Sequence, residues 1–214
     1  MIARPDPVLA NVAEALGDDE IHVWRVDYRA SQGRRPLRVL LAGYLGIAAG
    51  QVVLIDGEHG RPALAAVHDQ SLGFNWSHSG DQALIAVGRN ITPGIDLERV
   101  RPRHRALEIA ARFFSADEAA ALAALPLAEQ AVAFLEVWTA KEAVVKALGR
   151  GIAFGLDRFS VARDAGHLRL LRLHGDDAGA WQLRQLELDA DVVGALAWRG
   201  AQRQIRVGRL ASSA

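Results

Sequence analysis

Apolar positions along the chain fall into short runs with the period of strands and longer runs with the period of helices. Residues 21–28 (IHVWRVDY) alternate and predict a strand. Residues 36–46 begin at Pro36 and end at Gly46, the pattern of a helix with proline in its first turn and glycine past its last. A short helix is expected over 8–16. Residues 52–55 predict a strand, Asp56-Gly57 a hairpin turn, and Gly60-Arg61-Pro62 the start of the return segment. Residues 74–79 (FNWSHS) form a polar edge before a buried strand at 83–88 (ALIAVG). After the turn signals of 89–93, residues 95–100 read as a returning strand.

The second half is helical first and extended afterwards. Residues 105–114 predict a helix, and Ser115 with Glu118 occupy the capping-box positions of the next one, which runs to about 125. Pro126 interrupts, and a long helix follows from 127. No Gly or Pro lies between Glu129 and Leu148, and Gly149 is a natural stop. Phe134, Trp138, Val144, Val145 and Leu148 make this helix apolar nearly all round, which marks a buried helix. Trp138 seats it in the core. Residues 159–162, 168–173, 181–188 and 192–198 then predict four strands, and 204–210 a fifth, at an edge.

Charge inside the buried helix is the first chemical signal. Glu142 and Lys146, four residues apart, share one stripe at ~100° per residue, and Lys141 is carried inside with them. Buried charges need partners. On the strand over 95–100, Asp96 and Glu98 project from one face and Leu97 from the other. Two carboxylates ~4 Å apart at an effective dielectric of ~20 repel by ~4 kcal/mol. Protonation, separation or a cation must relieve that. Oxygen-only ligands of this kind suit magnesium, which keeps waters and shares its site with substrate phosphates.

Composition narrows the class. The chain has 214 residues, enough for one large domain or two small ones sharing a core. Lys plus Arg and Asp plus Glu are 25 each, so net charge argues against a general nucleic-acid binder. There is no cysteine, hence no disulfide, no thiolate metal site and no cysteine nucleophile. The start, MIARPDPVLA, lacks the apolar region of a signal peptide, and no apolar run reaches ~18 residues. The expectation is a cytoplasmic protein that binds no membrane.

GIDLE at 94–98, followed by WTAKEAVVK at 138–146, resembles the paired signature of the 4'-phosphopantetheinyl transferases, G-[IV]-D-x-E and W-[ST]-x-K-E-[AS]-x-x-K. The resemblance extends to His59-Gly60-Arg61-Pro62, Asn75-Trp76-Ser77-His78-Ser79 and Arg112-Phe113-Phe114-Ser115, covering most of 38–155. The chain is similar to the larger, monomeric, surfactin-synthetase-activating type. That resemblance implies an α+β fold of two similar α/β halves about a pseudo-twofold axis, with the cofactor between them. The halves are expected at 1–101 and 102–214.

It also implies the reaction: phosphopantetheine moves from coenzyme A to a serine of an apo acyl or peptidyl carrier protein, releasing adenosine 3',5'-bisphosphate, with Mg²⁺ required. Asp96, Glu98 and Glu142 would hold the metal. Glu142 would be the base, directly or through water, and Lys146 would stabilise charge on the phosphates. Lys141, Arg38, Arg61, Ser77 and His78 are the expected cofactor contacts. Arg99, Arg101, Arg103 and Arg105 are either a solvated basic surface or a dock for an acidic carrier helix. Two other classes compete: a magnesium-dependent hydrolase of nucleotides or pyrophosphate, which leaves the second motif unexplained, and an inactive scaffold that binds carrier proteins, against which the intact charged residues speak.

Overall fold

The computed structural model describes residues 16–164 and 167–210. The helix expected over 8–16 lies, apart from Leu16, outside them. In chain order the elements are β1 (Glu20–Asp27), α1 (Arg35–Leu45), β2 (Leu54–Asp56), β3 (Pro62–Leu64), β4 (Leu72–Ser79), β5 (Gln82–Arg89) and β6 (Gly94–Arg99). There follow α2 (Ala106–Phe113), α3 (Ala116–Ala123), α4 (Leu127–Leu148), β7 (Phe159–Asp164), β8 (His167–Leu173), β9 (Trp181–Gln185), β10 (Val192–Arg199) and β11 (Gln204–Leu210). The fold is α+β, in two compact units, Met1–Thr92 with Gln202–Ala214, and Pro93–Ala201.

The first unit is built on a four-stranded sheet in the order β11-β1-β5-β4. β1 lies parallel to β11 and antiparallel to β5, which pairs with β4 across the turn at 80–81. α1 starts with Pro36 in its first turn and stops at Gly46, whose left-handed φ of 65° suits a residue without Cβ. Its Leu37, Leu40 and Leu41 are fully buried in one cluster with Trp24, Phe74 and Ile85. Tyr44 also comes inside, accepting from Trp24 Nε1 at 2.8 Å and lying 2.7 Å from Nδ1 of buried His22. The hairpin expected at Asp56-Gly57 is wider than two residues: β2 pairs Asp56 with Pro62.

The second unit places α4 on the antiparallel sheet β6-β10-β9. β7 and β8 form a separate hairpin with a bulge at Ser160/Val161. The capping box at Ser115 is present: Ser115 Oγ accepts from the Glu118 backbone, and Glu118 Oε2 accepts from the Ser115 backbone at 2.8 Å.

Two sequence expectations are corrected here. β6 does not return along β5; it pairs with β10, from Val192↔Arg99 to Ala197↔Gly94. The compact units therefore part at 92/93, not at 101/102, and the acids of GIDLE belong with the long helix. The strand over 204–210 is an edge, as expected, but of the first unit's sheet.

Gly94 explains how β6 meets α4. A Cβ there would stand 2.0 Å from Ala143 O and 2.4 Å from Ala147 N. Only a bare backbone fits so close to a helix. The strand thus begins on top of the last two turns of the helix, and Asp96 follows two residues later.

Candidate active site

β6 and α4 bring together the charges that the sequence singled out. Lys146 Nζ donates to Asp96 Oδ1 at 2.6 Å and to the Ile95 carbonyl at 3.2 Å. Asp96 is buried, and Glu98, on the same strand face, is half-buried. Glu142, one turn before Lys146 on α4, is 9% exposed, and its Oε1 has no hydrogen-bond partner among the described residues. Burial, reinforced by the Asp96 charge, drives the Glu142 carboxyl up to about 7; Lys146 opposes the rise and Glu98 adds to it. An unmatched buried carboxyl oxygen is costly, and its neighbours are more carboxylates.

Among the described residues, no three His, Asp or Glu side chains are gathered closely enough to hold a metal ion. Asp96 and Glu98 are paired with side-chain cations. Lys146 engages Asp96, and Arg103 Nη2 engages Glu98 Oε2 at 2.9 Å. Two side-chain cations are drawn to the acids that a divalent ion would use. The donor set nevertheless fits such an ion: it is all oxygen, it repels itself, and one oxygen is unmatched.

Lys141 is corrected. It is wholly buried, pointing away from these acids into the unit's interior. Its Nζ donates to the carbonyls of Leu156 at 2.7 Å and Phe159 at 2.8 Å and pairs with Glu118 Oε2 at 2.8 Å. It also lies 4.3 Å from the centre of the Phe159 ring. Burial lowers its pKa and the Glu118 charge counters that. Every ammonium proton has a partner, so this lysine holds α4 to the start of β7 and has none left for a phosphate. Glu118 is matched as fully, accepting also from Ser115 Oγ at 2.7 Å and Val161 N at 2.7 Å. The sequence marked Glu118 as a cap only; its second partner, more than twenty residues away, had no local signal. Trp138 packs at a ring distance of 5.9 Å on Phe134, the core role expected of it.

The remaining sequence candidates lie in the first unit. Ser77 and His78 are neighbours on β4, an edge strand, and so face opposite sides. The exposed His78 ring stacks 4.6 Å from Tyr28, with Trp76 at 5.4 Å. Arg61 is partly buried and donates to the Phe74 carbonyl at 3.0 Å, tying it to β4; burial lowers its pKa. Arg38 is half-buried on α1. Its rival Arg34 is held by Asp56 at 2.6 Å, and Arg35 is exposed. Of the basic run, Arg99 pairs with Asp191 at 2.9 Å and Arg105 with Glu108 at 2.8 Å.

Comparison with known proteins places this arrangement. The sequence pattern of the 4'-phosphopantetheinyl transferase superfamily matches residues 92–197, nearly the whole second unit. The 4'-phosphopantetheinyl transferase HetI of Nostoc sp. is 36% identical over 92% of this chain and 84% of its own length. The 4'-phosphopantetheinyl transferase psf-1 of Bacillus pumilus is 33% identical over 70% of this chain and 62% of its own. The 4'-phosphopantetheinyl transferase Sfp of Bacillus subtilis is 39% identical over 49% of this chain and 44% of its own. The chain thus spans less than two thirds of these last two relatives. A likeness that runs through nearly all of HetI, and a second unit that carries the shared pattern from Thr92 to Ala197, show that the chain belongs to the 4'-phosphopantetheinyl transferase superfamily.

Proposed function

We propose that this enzyme moves 4'-phosphopantetheine from coenzyme A to a serine hydroxyl of an apo carrier protein, with its chemistry on the face shared by β6 and α4. The observation that carries the siting is the orphaned Glu142 carboxyl, held beside Asp96 and Lys146 in one buried cluster. In the transfer, serine Oγ bonds to the phosphorus that bears pantetheine. The bond from that phosphorus to the oxygen bridging the diphosphate breaks, and adenosine 3',5'-bisphosphate leaves.

Each side chain has a task in that step. Glu142 accepts the serine proton, directly or through water; burial raises its carboxyl in the metal-free protein, and a divalent cation beside it would favour the ionised form that a base needs. Lys146 sits at the acids with a quarter of its side chain exposed, so its ammonium can turn to the oxygen that gains charge. Asp96, Glu98 and Glu142 would hold Mg²⁺, which when bound neutralises charge on the diphosphate. Arg38, Arg61, Ser77 and His78 are proposed to hold the nucleotide end of coenzyme A. His78 is exposed and Ser77 half-buried, as ligand contacts must be; Arg61, already tied to Phe74, is the weaker member. The protein is proposed to act as a cytoplasmic monomer. Among the described residues, no helix is long and apolar enough to cross a membrane.

The test is the intact mass of apo acyl and peptidyl carriers after incubation with the protein, coenzyme A and Mg²⁺. One added phosphopantetheine per carrier is expected, and little or none with Glu142→Gln of normal fold. No gain on any of several carriers would contradict the reading, and coenzyme A cleavage without a carrier would replace it with a hydrolase.

A further inference from the structure

Arg103 belongs to the run read as either a solvated basic surface or a dock for an acidic carrier helix, but its guanidinium is turned onto Glu98, with Nη2 2.9 Å from Oε2. The pair is only partly covered, with side-chain exposures of 35% and 24%. Arg103 Nε, by contrast, is buried and has no partner among the described residues. This is a different kind of cation from Lys141, whose three donors are all matched. A guanidinium carries five N–H donors in a fixed fork, and a permanent structural tie would use more of them. Arg103 also lies in the irregular connection 100–105 between β6 and α2, so no regular backbone ladder fixes it. Among the described residues, the two buried side-chain polar atoms without partners, Arg103 Nε and Glu142 Oε1, both belong to side chains that interact with Glu98.

We propose that Arg103 is a built-in counterion that holds Glu98 in the metal-free protein and must give it up when a divalent cation binds. This rests on the reading that Asp96, Glu98 and Glu142 take such a cation. The charges around the acids support the exchange. Asp96, Glu98 and Glu142 face the cations Lys146 and Arg103. A divalent ion brings two positive charges to the same oxygens, and a guanidinium left in place would repel it and block one coordination direction of Glu98. Arg103 therefore lowers the affinity for the ion, and its release is part of loading the site.

The experiment is direct binding of Mn²⁺, followed by electron paramagnetic resonance of the free ion, to the full chain without coenzyme A. Arg103→Gln should bind Mn²⁺ about two- to fivefold more tightly than the parent, the range set by a half-exposed ion pair. Arg103→Lys, which keeps the charge, should stay near the parent. Arg105→Gln, an equal loss of charge from a side chain spent on Glu108, should change little. Unchanged or weaker binding in Arg103→Gln overturns the inference, as does equal tightening in Arg105→Gln, which would mean net charge alone. Asp96→Asn in the parent serves as the separate check. If it leaves Mn²⁺ binding intact, the metal reading fails, and with it this inference; if it abolishes binding while Arg103→Gln has no effect, the inference alone fails.

Discussion

Glu142 is the residue on which the proposed chemistry and the stability of the second unit meet. In the folded chain its carboxyl titrates near 7, against 4.5 when unperturbed, because burial and then Asp96 penalise the charge. Between those values the folded state keeps a proton that the unfolded state has released. The contribution to stability is therefore full below the unfolded value and is lost as pH rises through about 7. Without metal, Glu142→Gln should gain stability relative to the parent between pH 5 and pH 8, by roughly 2–3 kcal/mol. Urea unfolding at the two pH values checks this, and an equal difference at both contradicts it. Lys141 behaves oppositely. Its loss leaves Glu118 buried and uncompensated, so Lys141→Met should cost about 3–5 kcal/mol by thermal or urea unfolding. Replacing both members, Glu118→Gln with Lys141→Met, should cost less than the two single losses added together. Spacing paired Glu142 with Lys146, and strand alternation paired Asp96 with Glu98, because both fix directions locally; that the two pairs meet was legible only through the resemblance. Lys141 was expected at the phosphates from the resemblance alone; the apolar pattern shows that it is buried but not which partner waits for it.

At the scale of elements, the contact of β6 with α4 decides whether the site exists. A methyl on Gly94 would meet Ala143 O at 2.0 Å and Ala147 N at 2.4 Å, both backbone atoms that cannot swing aside. Gly94→Ala should therefore cost more than ~3 kcal/mol or push strand and helix apart. A melting curve within a degree or two of the parent would show that the contact is looser than described. The motif glycine was visible in the sequence, but its reason was not, since a close approach is a tertiary fact. Helices were the most legible elements: Pro36, Gly46, the Ser115 capping box, Pro126 and Gly149 are each local stop or start signals. Strand pairing was not. The turn signals of 89–93 suggested a hairpin, whereas Pro93 and Gly94 carry the chain out of one sheet and into another.

At the scale of the whole molecule, the chain returns its last strand to the first unit. β11 lies parallel to β1 from Glu20↔Gln204 to Val26↔Leu210, and Arg206 Nε donates to Glu20 Oε1 at 2.6 Å. No local pattern in 204–210 announces a partner some 180 positions earlier, so the sequence showed the strand but not its place. A chain ended at Ala201 should expose the backbone of β1, read as faster amide exchange over 21–26; unchanged protection there would contradict the pairing. The central claim is that Asp96, Glu98 and Glu142 close on one divalent ion whose other neighbour is the diphosphate of coenzyme A. A crystal grown with coenzyme A and Mn²⁺, with the metal located by anomalous scattering, tests it most directly. The account predicts one strong peak among those three carboxylates, bridged to diphosphate oxygens, with Glu98 freed from Arg103. A peak elsewhere, or a diphosphate seated far from these acids, would contradict it.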